Sequence, residues 1–105
     1  MNLKGSLPML VLHVLQNGPQ HGYQIAKDIK QKSKGILDFR EGTLYPALHG
    51  LERDGCIESY NEVENGRTRR YYRLTETGKQ SLAAELNEWQ RYSRAVNQVL
   101  GEIEL

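Results

Sequence analysis

The dipeptide Asn65-Gly66 constrains this chain more than any other feature. It separates two runs, residues 56–64 and 69–75, that are rich in Ile, Tyr, Val and Thr. Asn-Gly between such runs is the strongest local signal for a two-residue β-hairpin turn, because both central residues must adopt positive φ. One hairpin is therefore predicted, while the segments on either side carry helical periodicity. The tip, from Asn65 to Arg70, is polar and holds Arg67, Arg69 and Arg70. No apolar requirement explains it. Alternation along the two runs is imperfect and assigns no face to Tyr60, Tyr71 or Tyr72.

Three helices are predicted upstream of the hairpin. Ser6 is placed to cap the first, with Pro8 in its opening turn, and Leu7, Met9, Leu10, Val11, Leu12, Val14 and Leu15 make it apolar almost all round. Such a helix needs cover on several sides, so part of it is expected against a second subunit. Asn17-Gly18-Pro19 ends it. The second helix starts near Gly22, with Tyr23, Ile25, Ala26 and Ile29 inward and Gln24, Lys27, Asp28 and Lys30 outward.

The third helix lies within residues 41–55. Leu44, Leu48 and Leu51 make its buried stripe, with Ala47 on the flank. The opposite face collects Pro46, His49, Gly50 and Arg53, with Tyr45 beside them, and is small and polar enough to approach another molecule. Thr43 as the cap would put Pro46 in the first turn, where a missing N–H costs nothing, and Gly55 suits a left-handed residue past the end.

After the hairpin, Thr75 can cap a final helix with Glu76 in its first turn, where the helix dipole favours a negative charge. Leu82, Leu86, Trp89, Val96, Leu100 and Ile103 follow a three-four spacing, broken by Ser93. This is a coiled-coil-like seam, and the chain offers no spare helix to cover it, so a homodimer is expected. The fold class is α+β, mainly α: a winged helix-turn-helix over residues 1–75 and a long C-terminal dimerisation helix over 76–105.

A chain of 105 residues with 38% hydrophobic and 26% charged residues has room for one small core. The net charge of +1 is uninformative until its distribution is read. Between Gly66 and Leu74 the only charges are Arg67, Arg69, Arg70 and Arg73, whereas acids outnumber bases from Glu76 onward. The single cysteine, Cys56, cannot form an internal disulfide, which fits a reducing cytoplasm, and it reads as a small buried hydrophobe. The longest apolar run, Leu7 to Leu15, is far shorter than the roughly 18 residues a membrane span needs. No membrane partner and no signal peptide are expected.

At this point the local motifs become specific. His21-Gly22-Tyr23-Gln24-Ile25, Gly42-Thr43-Leu44-Tyr45-Pro46-Ala47-Leu48, Leu51-Glu52-Arg53-Asp54-Gly55 and Arg70-Tyr71-Tyr72-Arg73-Leu74-Thr75 with Gly78 occur in order at fitting separations. Together they resemble the PadR family of transcriptional regulators, over nearly the whole chain and in the short form with one C-terminal helix. The resemblance implies a homodimer on double-stranded DNA with a pseudo-palindromic operator, usually as a repressor, and often released by a small-molecule effector. Some short members carry a tryptophan on the last helix that lines a flat apolar cavity at the dimer centre. Trp89 sits at a comparable place, and simple packing of the dimer core is the other reading of it.

On that reading the third helix enters the major groove. Thr43, Tyr45, Pro46 and His49 are the candidates for groove contact, and Arg53 for backbone contact. Arg67 and Arg69 are expected at the adjacent minor groove, with Arg70 either there or anchoring the hairpin to Glu52 or Glu58. An alternative is a winged-helix protein-interaction adaptor that does not read DNA sequence, but it would call for an apolar outward face and an uncharged wing. Enzymatic chemistry has little to stand on. His13, His21 and His49 lie far apart without metal-ligand spacing, Cys56 has no basic neighbour, and no phosphate loop is present, so no catalytic residue, metal or cofactor is assigned.

Overall fold

The computed structural model describes residues 3–101. After a 3₁₀ turn, Leu3–Ser6, the elements are α1 (Leu7–Leu15), β1 (Gln20–His21), α2 (Gly22–Lys32), α3 (Glu41–Arg53), β2 (Ile57–Glu64), β3 (Arg67–Leu74) and α4 (Glu76–Leu100). The sheet is antiparallel in the order β1-β3-β2. This is a winged helix-turn-helix with one long C-terminal helix.

Leu7, Met9, Val11, Leu12, Val14 and Leu15 of α1 are all buried within the single chain. α1 is the central element, packed by α2, α3, β3 and α4. Its apolar circumference thus has cover from its own chain, which removes the reason to place part of it against a second subunit. Ser6 stands at its N-cap position and Pro8 in its first turn, without a side-chain cap bond.

α2 is capped by His21, whose Nδ1 accepts the Gln24 N–H at 3.3 Å. Ile25 and Ile29 are buried, but Tyr23 is 68% exposed and not inward as its apolar ring suggested. Residues two apart lie on opposite sides of a helix, so Tyr23 cannot share a face with Ile25.

α3 buries Leu44, Leu48 and Leu51 as expected. Its start differs. The N-cap is Arg40, whose carbonyl accepts the N–H groups of Thr43 and Leu44 at 2.9 Å each. Thr43 is therefore inside the helix and does not cap it. Pro46 falls a turn deeper than the first turn and cannot donate to the Gly42 carbonyl. At the other end Gly55 is left-handed (φ 76°), with Gly55 N–H on Glu52 O at 3.0 Å and Cys56 N–H on Leu51 O at 2.9 Å. That pair of bonds is a Schellman closure.

Asn65 (φ 51°) and Gly66 (φ 76°) form the two-residue turn. The second strand begins at Arg67, two residues earlier than its composition suggested, so Glu64 faces Arg67 and Glu62 faces Arg69 across the ladder. The arginines belong to a strand, not to a loose tip. Thr75 caps α4, accepting the Gly78 N–H at 3.0 Å, and its hydroxyl donates to Gly55 O at 2.6 Å.

The first half of α4 lies on α1. Leu82 is 1% exposed, and Leu86 and Trp89 pack partly against the same core. Leu82 is consequently closed to a partner chain, because α1 and α4 each carried surplus apolar surface and satisfy it on one another. Beyond Trp89 the helix leaves the body, with Tyr92, Val96, Val99 and Leu100 at 52, 37, 87 and 64% exposure. Ile103 lies outside the described residues.

Candidate nucleic-acid interface

The sheet has two chemically distinct faces. Ile57, Ser59 and Asn61 pair with Leu74, Tyr72 and Arg70, and this side meets α3. There Glu52 accepts from the Ser59 hydroxyl and pairs with Arg70 at 3.6 Å. Arg70 thus anchors the hairpin root to α3. The other side carries Glu58, Tyr60, Glu62 and Glu64 opposite Arg73, Tyr71, Arg69 and Arg67.

On that second side a ladder of rings crosses the sheet. Arg73 lies 5.1 Å over the Tyr60 ring, Tyr60 stacks on Tyr71 at 5.8 Å, and Tyr71 meets His21 edge-on at 5.5 Å. His21 in turn stacks with Tyr23 at 6.3 Å. The Tyr71 hydroxyl donates to Glu64, and Arg69 sits between Glu64 at 3.9 Å and His21 Nε2 at 3.0 Å. Arg69 is therefore held in the wing rather than waving in solvent. Arg67, one residue past the turn, is exposed and pairs with no carboxylate among the described residues.

His21 links the wing to α2, and this makes the joint sensitive to protons. Burial lowers its pKa from 6.5, Arg69 lowers it further, and Glu64 acts in the opposite direction. A neutral imidazole accepts at only one nitrogen, so the cap bond and the Arg69 contact share that capacity, and protonation removes both. The neutral form is the one favoured by folding, so its contribution is complete above the unfolded-state value and is lost as pH falls below it. Melting temperature is expected to fall between about pH 7 and pH 5. The fall should be smaller in His21→Asn, where asparagine caps without titrating. Equal falls in the two proteins would remove His21 from this role.

On α3 the outward residues separate by exposure. Pro46, His49 and Arg53 are exposed, and Thr43 is half-buried. Tyr45 is half-buried too, its ring lying so close over Gly22 that a Cβ there would be 2.7 Å from the phenol oxygen. Tyr45 is thus partly a packing residue that joins α3 to α2. Tyr23, which sequence periodicity placed in the core, lines a depression with Arg67, Thr68 and Arg69, and also a groove that Tyr45 lines. The wing tip, the start of α2 and the first half of α3 therefore share one surface.

A separate depression lies on the other long element, between Pro8, Met9, Glu85, Trp89 and Tyr92. Burial raises the Glu85 carboxyl above its usual pKa there. Among the described residues no cluster of His, Cys, Asp or Glu could hold a metal ion, and no helix is long and apolar enough to cross a membrane.

This fold, with a polar face on α3 and an arginine-bearing hairpin, is that of the winged helix-turn-helix proteins. Residues 11–84 match the model of the transcriptional regulator PadR-like family. The chain belongs to that family. A transcriptional regulator from Mycobacterium tuberculosis is 30% identical over 93 residues, which cover 89% of this chain and 84% of that protein. The structure of a transcriptional regulator from Clostridium thermocellum superposes with a TM-score of 0.86 at 32% identity, covering 91% of this chain and 94% of the other. Bacillus subtilis PadR, solved in complex with operator DNA, matches with a TM-score of 0.69 at 27% identity. That match covers 76% of this chain and 46% of the Bacillus subtilis chain.

Proposed function

We propose that this regulator acts in the cytoplasm as a homodimeric repressor that binds a pseudo-palindromic operator. In this reading residues 1–75 are the DNA-binding unit and 76–105 the dimerisation helix. The outward face of α3 enters the major groove, with Thr43, Pro46 and His49 nearest the bases, Tyr45 beside them and Arg53 on the backbone. Arg67 and Arg69 lie at the adjacent minor groove, where negative potential attracts guanidinium groups. Arg70 serves the same end indirectly by holding the wing on Glu52. Val96 and Leu100 carry the dimer contact, with Leu86 and Trp89 flanking it. A planar apolar effector at the dimer centre, against Trp89, would release the DNA.

The observation that carries the reading is the exposed, carboxylate-free Arg67, joined through Tyr23 to the surface formed by the opening turns of α3. An adaptor that ignores DNA sequence would have no use for a charged wing of this kind. A competition gel shift with operator and scrambled DNA tests it. Arg67→Ala should weaken both complexes alike and lower the salt dependence by about two counterions, one per protomer. His49→Ala should cost the operator complex about 1 kcal/mol or more while leaving scrambled DNA almost unchanged. His49 is the cleaner probe than Tyr45, whose ring also packs on Gly22. Equal losses on both DNAs for His49→Ala would contradict the assignment of α3 to base reading.

A further inference from the structure

A groove of about 770 Å³ runs between α2 and the segment that leads into α3. Its floor is apolar, made by Ala26, Phe39, Leu44 and the Tyr45 ring, all part of or packed against the core. Lys27, Lys34 and Arg40 stand exposed on its rim. None of the three pairs with a carboxylate among the described residues. Lys30 is tied to Asp38 at 3.4 Å, and Glu41 is the other acid at the edge. Four cations therefore face two carboxylates around an apolar trough.

We propose that this groove binds an amphiphilic anion: a small molecule with an apolar body the size of one or two fused rings and one anionic head. The volume falls within the range of small-molecule sites, roughly 300–1,000 Å³. Charge and surface select the class together. A sugar-phosphate backbone has nothing apolar to lay on Phe39 and Leu44, a bare inorganic anion would leave that floor wet, and a neutral hydrocarbon would leave the surplus positive charge unanswered. The body rests on the floor, and the head lies between Lys27, Lys34 and Arg40.

The site shares no lining residue with the depression at Trp89. It does share Tyr45, Arg40 and Glu41 with the opening turns of α3. If α3 reads DNA as argued above, ligand and operator compete, and by linkage each lowers the affinity for the other by the same factor. That coupling rests on the DNA-binding reading, whereas the site itself does not.

The probe is anilinonaphthalene sulfonate, titrated into the full chain by fluorescence, with amide chemical shifts to locate it. One saturable site per chain is expected, with shifts confined to residues 23–45. Lys27→Glu/Lys34→Glu, at two exposed positions, should weaken binding by at least about tenfold, and Trp89→Leu should leave it unchanged. Added operator DNA should displace the probe. The proposal is overturned if the shifts fall on residues 84–92, or if Trp89→Leu abolishes binding while the charge reversal does not. It is also overturned if no probe binds and the charge reversal instead costs DNA affinity, which assigns the groove to the phosphate backbone. Failure of the wild-type chain to bind any DNA, with the probe still in the groove, would sink the operator reading alone.

Discussion

Gly78→Ala is expected to lower stability by about 3 kcal/mol and the melting temperature by roughly 15 °C, although alanine is the better helix former. Gly78 lies in the first turn of α4, against the Cys56 carbonyl. A Cβ there would overlap that oxygen and stand 2.7 Å from Leu74 Cδ1 and 3.0 Å from the Cys56 carbonyl carbon. Two of these three atoms are backbone and cannot swing aside. The same carbonyl accepts the Thr75 N–H at 3.1 Å, so moving it breaks a hydrogen bond at the root of the helix. Helix propensity returns at most about 1 kcal/mol, and the steric cost exceeds it. Thermal unfolding followed by circular dichroism checks this, and an unchanged or raised midpoint would refute the close packing of α4 on Cys56. Gly22→Ala makes a useful contrast, because its Cβ meets the tip of the Tyr45 side chain, which can move.

On the dimer proposed above, Val96→Asp/Leu100→Asp is expected to give a folded monomer. Val96 and Leu100 are 37 and 64% exposed, and neither belongs to the core of its own chain. Like charges introduced in pairs across an apolar seam cannot be hydrated there, so association becomes unfavourable. Operator affinity should then fall by roughly a hundredfold or more, since each half-site would be held alone. Sedimentation equilibrium and a gel shift read the two effects. A double variant that remains dimeric would remove the exposed end of α4 from the interface. One that turns monomeric yet keeps full operator affinity would break the link between dimer and operator.

Much of this architecture was legible because several cues were local. Asn65-Gly66 needs only its own two dihedral angles to turn the chain, Thr75 reaches its helix three residues on, and Leu44, Leu48 and Leu51 mark one face by spacing alone. What escaped depended on partners distant in sequence. β1 is two residues long, too short for any period, and exists because Gln20 and His21 pair with Tyr72 and Tyr71 some fifty residues later. The Thr43 cap is a local exception: the Arg40 carbonyl three residues back starts the helix earlier, leaving Pro46 inside.

The seam on α4 was visible, but its division was not. Spacing gave Leu82 and Leu100 equal standing, and only the position of α1 decides that one is core and the other exposed. The candidate interface was readable as a list of polar residues on α3 and the hairpin. Sequence could not show that Arg70 is bound to Glu52, that Arg69 is braced by Glu64 and His21, or that Tyr23 faces outward beside Arg67.

The junction at Gly55, Cys56 and Thr75 closes the last turn of α3 and opens the first turn of α4 on two adjacent carbonyls. Turning either helix alone would strain these two bonds. A dimer assembled on α4 would behave as a calliper with fixed jaws, and the gap between its half-sites would be a length gauged by this weld, changed only by altering the arm beyond it.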